Sequence, residues 1–198
     1  MFYAFKGVAP VVSPKAYVHP SATIIGSVLI MDNVYVGPGA VLRGDWGKII
    51  IHENANIQET CVIHSFPGVN VIIEPFAHIG HGAIIHGARI GTNCLIGMNA
   101  VVMDEAIVES NAVVGALSFV PAKMVIPSGV LAVGNPVVLK KIVDSEFLDW
   151  KKRGTMVYID LAKSADRDIV PCAPSELIEA EAQKIDPQQP PDFSVYVK

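Results

Sequence analysis

A chain of 198 residues, 51% hydrophobic and with a formal charge of −4, is long enough for one domain with a sizeable core. No run of Lys or Arg interleaved with aromatics appears, which argues against nucleic acid or an anionic membrane as partner. The longest uncharged runs, such as Met124–Leu139, are broken by Pro127, Gly129, Gly134 and Pro136, so no membrane span is expected.

The first residues, Met1–Gly7, show no apolar stretch after a basic start, so no secretory signal is expected there. Cys61, Cys94 and Cys172 are unclustered, which predicts free thiols and a cytoplasmic setting. A mean hydropathy of +0.42 without spans fits a protein that buries surface in an oligomer.

From Val18 onward an aliphatic residue recurs every six positions: Val18, Ile24, Ile30, Val36 and Leu42. The beat resumes at Ile51, Ile57 and Ile63, then at Ile73, Ile79 and Ile85, and runs from Ile90 to Val120. Four positions later the residue is usually small, as at Ala22, Ala40, Ala55, Cys61, Ala77, Ala83 and Cys94. Period six fits neither an α-helix nor a hairpin. It predicts coils of short parallel strands, with the aliphatic and the small residue inward and three hexapeptides per eighteen-residue turn. Gly26, Asn33, Gly37, Gly39, Gly80, Gly91, Gly97 and Asn99 are expected to supply positive φ at the corners. Cys61 and Cys94, at the small inward position, are expected to be inert core.

The beat is interrupted three times. Three extra residues fall in Arg43–Lys48 and four around Phe66–Asn70, both expected as protruding loops, and one residue is missing between Ile85 and Ile90. After Val120 the beat decays to a turn at Val133–Pro136. Asp144 then reads as the cap of an amphipathic helix over 144–164, with Phe147, Trp150, Val157, Tyr158 and Leu161 as its packed stripe. The expected division is a β-helix over 1–143, this helix, and an extended Pro-containing tail over 165–198 with a short helix near Ser175–Lys184.

The register sorts the histidines. His64 and His86 each follow an inward isoleucine and lie one coil and the four-residue insertion apart, so they should stack; Arg43 joins the same column one coil earlier. His81 sits two after Ile79, on the preceding strand, and should point elsewhere. Two stacked imidazoles make half of a tetrahedral metal site, and a symmetry-related His81 from an adjacent subunit would supply a third ligand. His78 matches no ligand register and is expected to be structural or to line a pocket; His19 and His52 are expected in turns.

Arg43-Gly44-Asp45, Asn56-Ile57-Gln58-Glu59, His64 and His81-Gly-Ala-Ile-Ile-His86-Gly together resemble the motifs of the γ-class carbonic anhydrase family, over roughly residues 3–163. That resemblance implies a left-handed β-helix and a homotrimer with zinc, iron or cobalt between subunits. His64 and His86 would come from one chain and His81 from its neighbour. It further implies reversible hydration of CO2 to bicarbonate, with Gln58 beside the metal-bound water and Arg43 and Asp45 as an inter-subunit pair. Glu59 would be a nearby acid, and Tyr158 would reach the pocket from the helix. Two carboxylates that carry protons in the archetype are replaced by Trp46 and Pro67. The same metal site acting on acyl-CoA thioesters, a metal-free hexapeptide acyltransferase and a non-enzymatic assembly partner are the competing readings.

Overall fold

The computed structural model describes residues 1–174, and the short helix expected near Ser175–Lys184 lies outside them. The repeat folds as a parallel β-solenoid with three faces. Face one is built from Val41, Val62–His64, Ile84–His86, Val101–Val102 and Phe119–Val120. Face two carries Ile49–Ile51, Val71–Ile73, Arg89–Ile90, Ile107–Val108 and Val125–Ile126. Face three carries Tyr17–Val18, Tyr35–Val36, Asn56–Ile57, His78–Ile79, Leu95–Ile96 and Val113–Val114.

The inward aliphatics Leu42, Ile63, Ile85 and Val102 pair coil to coil, and with Ala40, Cys61, Ala83 and Ala100 they are fully buried. Alternating a branched residue with a small one lets three faces converge on a narrow, close-packed core. Burial pushes the Cys61 thiol up to about 11 and the Cys94 thiol up to about 12, so both are inert core as expected.

Two sequence expectations are corrected. The three extra residues at Arg43–Lys48 do not form a loop: they continue one strand, Val41–Ile51, which rounds the corner and joins faces one and two into a single sheet. The mismatch is absorbed as a register shift opposite Gly26–Val28. At the corners, Gly26, Gly39, Asn33 and Asn99 do take positive φ, but Gly37, Gly80, Gly91 and Gly97 do not. Those four are glycine because the next coil passes too close: a Cβ on Gly97 would meet Ala116 N at 2.3 Å, and one on Gly80 would meet the Ile96 carbonyl oxygen at 2.8 Å.

The C-terminal helix spans Ser145–Asp168, past the expected end at 164, and runs through Gly154. Asp144 caps it, accepting the Phe147 amide at 2.8 Å. Fully buried on its inner face are Lys151, Thr155, Ile159, Ala162 and Ala165; of the expected stripe Tyr158 and Leu161 pack beside them, while Val157 is exposed. The small Ala162 and Ala165 let the helix settle against Tyr17 and Tyr35.

Lys151 is the unexpected member of that face. The corner between faces two and three stacks left-handed residues Asn33, Asn54, Phe76, Asn93 and Asn111, with amide bonds between neighbouring asparagines at 3.1 and 2.7 Å. Phe76 interrupts this ladder, and Lys151 fills the gap, its Nζ donating to the Phe76 carbonyl at 2.5 Å and to Asn93 Oδ1 at 2.8 Å. Burial drives the ammonium down to about 7. Between pH 7 and the ordinary lysine range the unfolded chain therefore binds the extra proton, and folding stability rises with pH. The unfolding free energy from urea melts should climb from pH 7 to 9 by up to about 2–3 kcal/mol. Lys151→Met should flatten that slope relative to the wild type.

Candidate metal centre

At the corner between faces one and two, parallel pairing places Arg43, His64 and His86 in one column, as the register predicted. His64 Nδ1 and His86 Nε2 face each other at 3.2 Å. Two nitrogens bound to one tetrahedral zinc at their usual distances are separated by roughly the same span, about 3.3–3.4 Å. The opposite nitrogen of each ring is taken by a carboxylate: His64 Nε2 lies 3.0 Å from Asp45 Oδ1, and His86 Nδ1 lies 2.6 Å from Asp104 Oδ1. Carboxylates accept only, so the ring protons sit on those outer nitrogens and two lone pairs are aimed at one another, with Arg43 Nη2 at 3.5 Å from that of His64. That is an arrangement a cation stabilises, and the outer carboxylates are the partners that metal-bound histidines ordinarily have. The donor set of this half-site fits a divalent metal.

Electrostatics keep the half-site ready. Burial holds the His64 imidazole below its ordinary value, so it is neutral at pH 7. Burial alone would raise the Asp45 carboxyl, but hydrogen bonds from His64 and Arg43 outweigh it and hold it below the usual carboxylate range. Arg43 donates to Asp45 Oδ2 at 2.8 Å within the same chain, and its guanidinium lies 5.9 Å from the Trp46 ring. Trp46 is 54% exposed and sits 5.6 Å from His64, on the open side of the column. Phe66, Pro67 and Gly68 form the loop just after His64 and Ser65.

Sequence reasoning missed Asp104. It lies eighteen residues beyond His86, one coil on, and that spacing is the signal that would have found it. Room for it comes from the missing residue after Ile85: Gly87 takes φ +59, and a Cβ there would stand 2.4 Å from Asp104 Oδ1.

His81 is in the turn at a different corner, between faces three and one, ahead of the strand Ile84–His86. The two are five residue steps apart along the chain, a separation of on the order of 15 Å. Accordingly, among the described residues no three His, Cys, Asp or Glu side chains of one chain are grouped to hold an ion. Around His81 the structure gathers the remaining candidates. Its Nδ1 is 2.5 Å from Glu59 Oε2, and its backbone amide donates to Gln58 Oε1 at 3.2 Å. Gln58 is buried, with its amide nitrogen 2.5 Å from His78 Nε2 and 3.0 Å from Asn56 Oδ1.

His78 is driven down to about 3, chiefly by burial, and its ring meets Tyr158 edge-on at 5.3 Å. It is a neutral structural group. Tyr158 also packs on Tyr35 at 5.4 Å, so in one chain it lies behind Glu59 and not against His64 or His86. His19 bonds Ser21 within its own turn, as expected, and His52 stands 3.9 Å from Glu53.

Comparison with known proteins fits this geometry to a family. Residues 87–122 match the model for bacterial transferase hexapeptide repeats (six repeats). In structure, a putative acetyltransferase from Bacillus cereus superposes with a TM-score of 0.82 at 28% identity, covering 83% of this chain and 95% of that one. A hexapeptide transferase family protein from Anaplasma phagocytophilum gives 0.79 at 33% identity over 82% and 96%. In sequence, the carnitine operon protein CaiE of Citrobacter koseri is 43% identical over 184 residues, 93% of either chain. CaiE of a Proteus strain is 40% identical over 183 residues, 92% of this chain and 93% of its own. This chain belongs to the CaiE family of hexapeptide-repeat proteins.

Proposed function

We propose that the chain is a metal-dependent enzyme of the γ-carbonic-anhydrase type, reversibly hydrating CO2 to bicarbonate at a site shared between copies. The observation that carries this reading is the convergent pair His64 Nδ1 and His86 Nε2, each ring locked from behind by its own aspartate. The partner subunit's His81 is the third ligand. A divalent metal held by three imidazoles supplies an acidified water that serves as nucleophile near neutral pH.

Assembly follows from where the two half-sites lie. They occupy opposite edges of face one, and between them runs an outward apolar ladder of Val41, Val62, Ile84, Val101 and Phe119. Rotation about an axis parallel to the solenoid keeps His81 of one copy level with His86 of another, since both belong to one coil. A head-to-tail contact of unlike edges can close as a ring, and the ring proposed is the homotrimer that the family resemblance implies. Arg43 and Asp45 lie at the edge such a contact would cover, with Asp45 orienting His64. Gln58 pins the backbone of the His81 corner.

A second reading keeps the family's transfer chemistry: acyl-CoA as substrate, either hydrolysed at the same metal site or used in metal-free acyl transfer. The similarity to a putative acetyltransferase and the exposed Trp46 and Phe66 favour it. Chelation separates the readings. CO2 hydration that is lost with the metal and restored by zinc supports the first. Thiol release from acyl-CoA lost and restored in the same way supports the metal-site hydrolase. Acyl transfer surviving chelation supports the transferase.

Two outcomes test the shared site and its rim. His81→Ala chains and His64→Ala/His86→Ala chains should each bind no stoichiometric zinc, yet co-refolded mixtures should regain at most about one site in each mixed trimer. Hydration by the wild type should rise with the concentration of an imidazole-type buffer, because Trp46 and Pro67 offer no carboxylate to export protons. Trp46→Glu should raise the rate roughly tenfold or more at low buffer.

A further inference from the structure

Behind His81 a run of close polar contacts leads back under the helix. Tyr35 is almost fully buried, and its phenol donates to Glu59 Oε1 at 3.1 Å. The other oxygen of that carboxylate stands 2.5 Å from His81 Nδ1. The phenol has no freedom to leave: Tyr17 stacks on its ring at 5.6 Å and 18°, and Tyr158 packs against it at 5.4 Å. The backbone is held as well, since the His81 amide donates to Gln58 Oε1 and the Gly82 amide donates to the Glu59 carbonyl at 2.9 Å.

We propose that Tyr35 and Glu59 are positioning residues for His81, fixing its proton on Nδ1 and presenting Nε2 outward to the neighbouring copy. This rests on the reading of His81 as the third ligand. Glu59 Oε2 is buried and has no other hydrogen-bond partner among the described residues, so at 2.5 Å the adjacent Nδ1 is the ring nitrogen that must carry the proton, which leaves Nε2 as the basic one. His81 is half-exposed at its corner, so an unbraced imidazole there would sample several rotamers and would have to lose that freedom on binding an ion. The brace removes that loss in advance. All three histidines are thereby alike: Asp45 behind His64, Asp104 behind His86, and Glu59 behind His81, the last steadied by a phenol that the helix clamps in place.

The test uses the full chain, stripped by a chelator and titrated with Co2+ against a chromophoric competitor, with the visible absorption of bound Co2+ recorded. Tyr35→Phe, which keeps the ring and removes only the hydroxyl, should weaken Co2+ binding about 3–10-fold. Glu59→Gln should weaken it about 10–100-fold, and both should alter the absorption band. Tyr17→Phe, in the same aromatic stack but not bonded to Glu59, should bind as the wild type does. Wild-type affinity and spectrum in both Tyr35→Phe and Glu59→Gln would overturn the proposal while leaving the metal site standing. A wild type that binds no stoichiometric Co2+, or a His64→Ala variant that binds as well as the wild type, overturns the metal reading and this inference with it.

Discussion

In a parallel coil, a side chain is fixed less by its sequence neighbours than by the residue one turn above and one turn below. Successive strands stand roughly 4.8 Å apart, so residues in one register form a column whatever loop lies between them. The His64 and His86 rings are a consequence: their centroids are 5.1 Å apart, close to the coil spacing, but the planes are turned 61° from each other. That tilt brings one nitrogen of each ring to 3.2 Å, and the aspartates behind them hold it. The backbone sets the spacing and the carboxylates set the angle. Preorganisation of this kind needs no closing loop, because these two histidines ride on strands of a packed solenoid.

Columns were legible in the sequence because counting is enough to find them. Inward aliphatics gave the coil length, insertions gave the offsets, and Arg43, His64 and His86 fell into line while His81 and His78 fell out. What depended on rotamers or on local strain was not legible. Asp104 reaches His86 only because the corner after Ile85 is one residue short and Gly87 carries no Cβ. The bond from Tyr35 to Glu59 depends on aromatic packing under a helix whose buried face is not its most hydrophobic one. Lys151 was invisible for the same reason: hydropathy marks it as outward, yet a gap in an asparagine ladder offers two carbonyl oxygens to an amine and nothing to a leucine. The corner glycines showed where the backbone is crowded but not why, since positive φ and close approach leave the same letter.

On the proposed reading, splitting the site between corners ties chemistry to assembly. One chain holds two nitrogens near a common point and a third about a strand's length away. Affinity for an ion and association of copies are then linked: an ion bound only by the ring favours the ring, by mass action. The apolar ladder on face one would supply most of the contact energy, and the histidines its register. Each half-site is rigid before assembly, so little ordering is left for the moment of contact.

What the rim then selects is speed. Hydration of CO2 can be fast only when a proton leaves the site each cycle as quickly as the bond forms, and a carboxylate at the mouth serves that end. Here the mouth carries an exposed indole that packs beside Arg43 and covers one side of His64. An aromatic wall cannot relay protons, but it buries apolar surface against a substrate larger than CO2 and shields the site from bulk water. Where bond formation is slow, exchange of protons through water keeps pace without a relay, and the wall costs nothing. The same histidines can therefore serve a fast lyase or a slower enzyme acting on bulkier carbonyls. On the proposed reading, the residue that tips the balance is Trp46, not any of the three histidines.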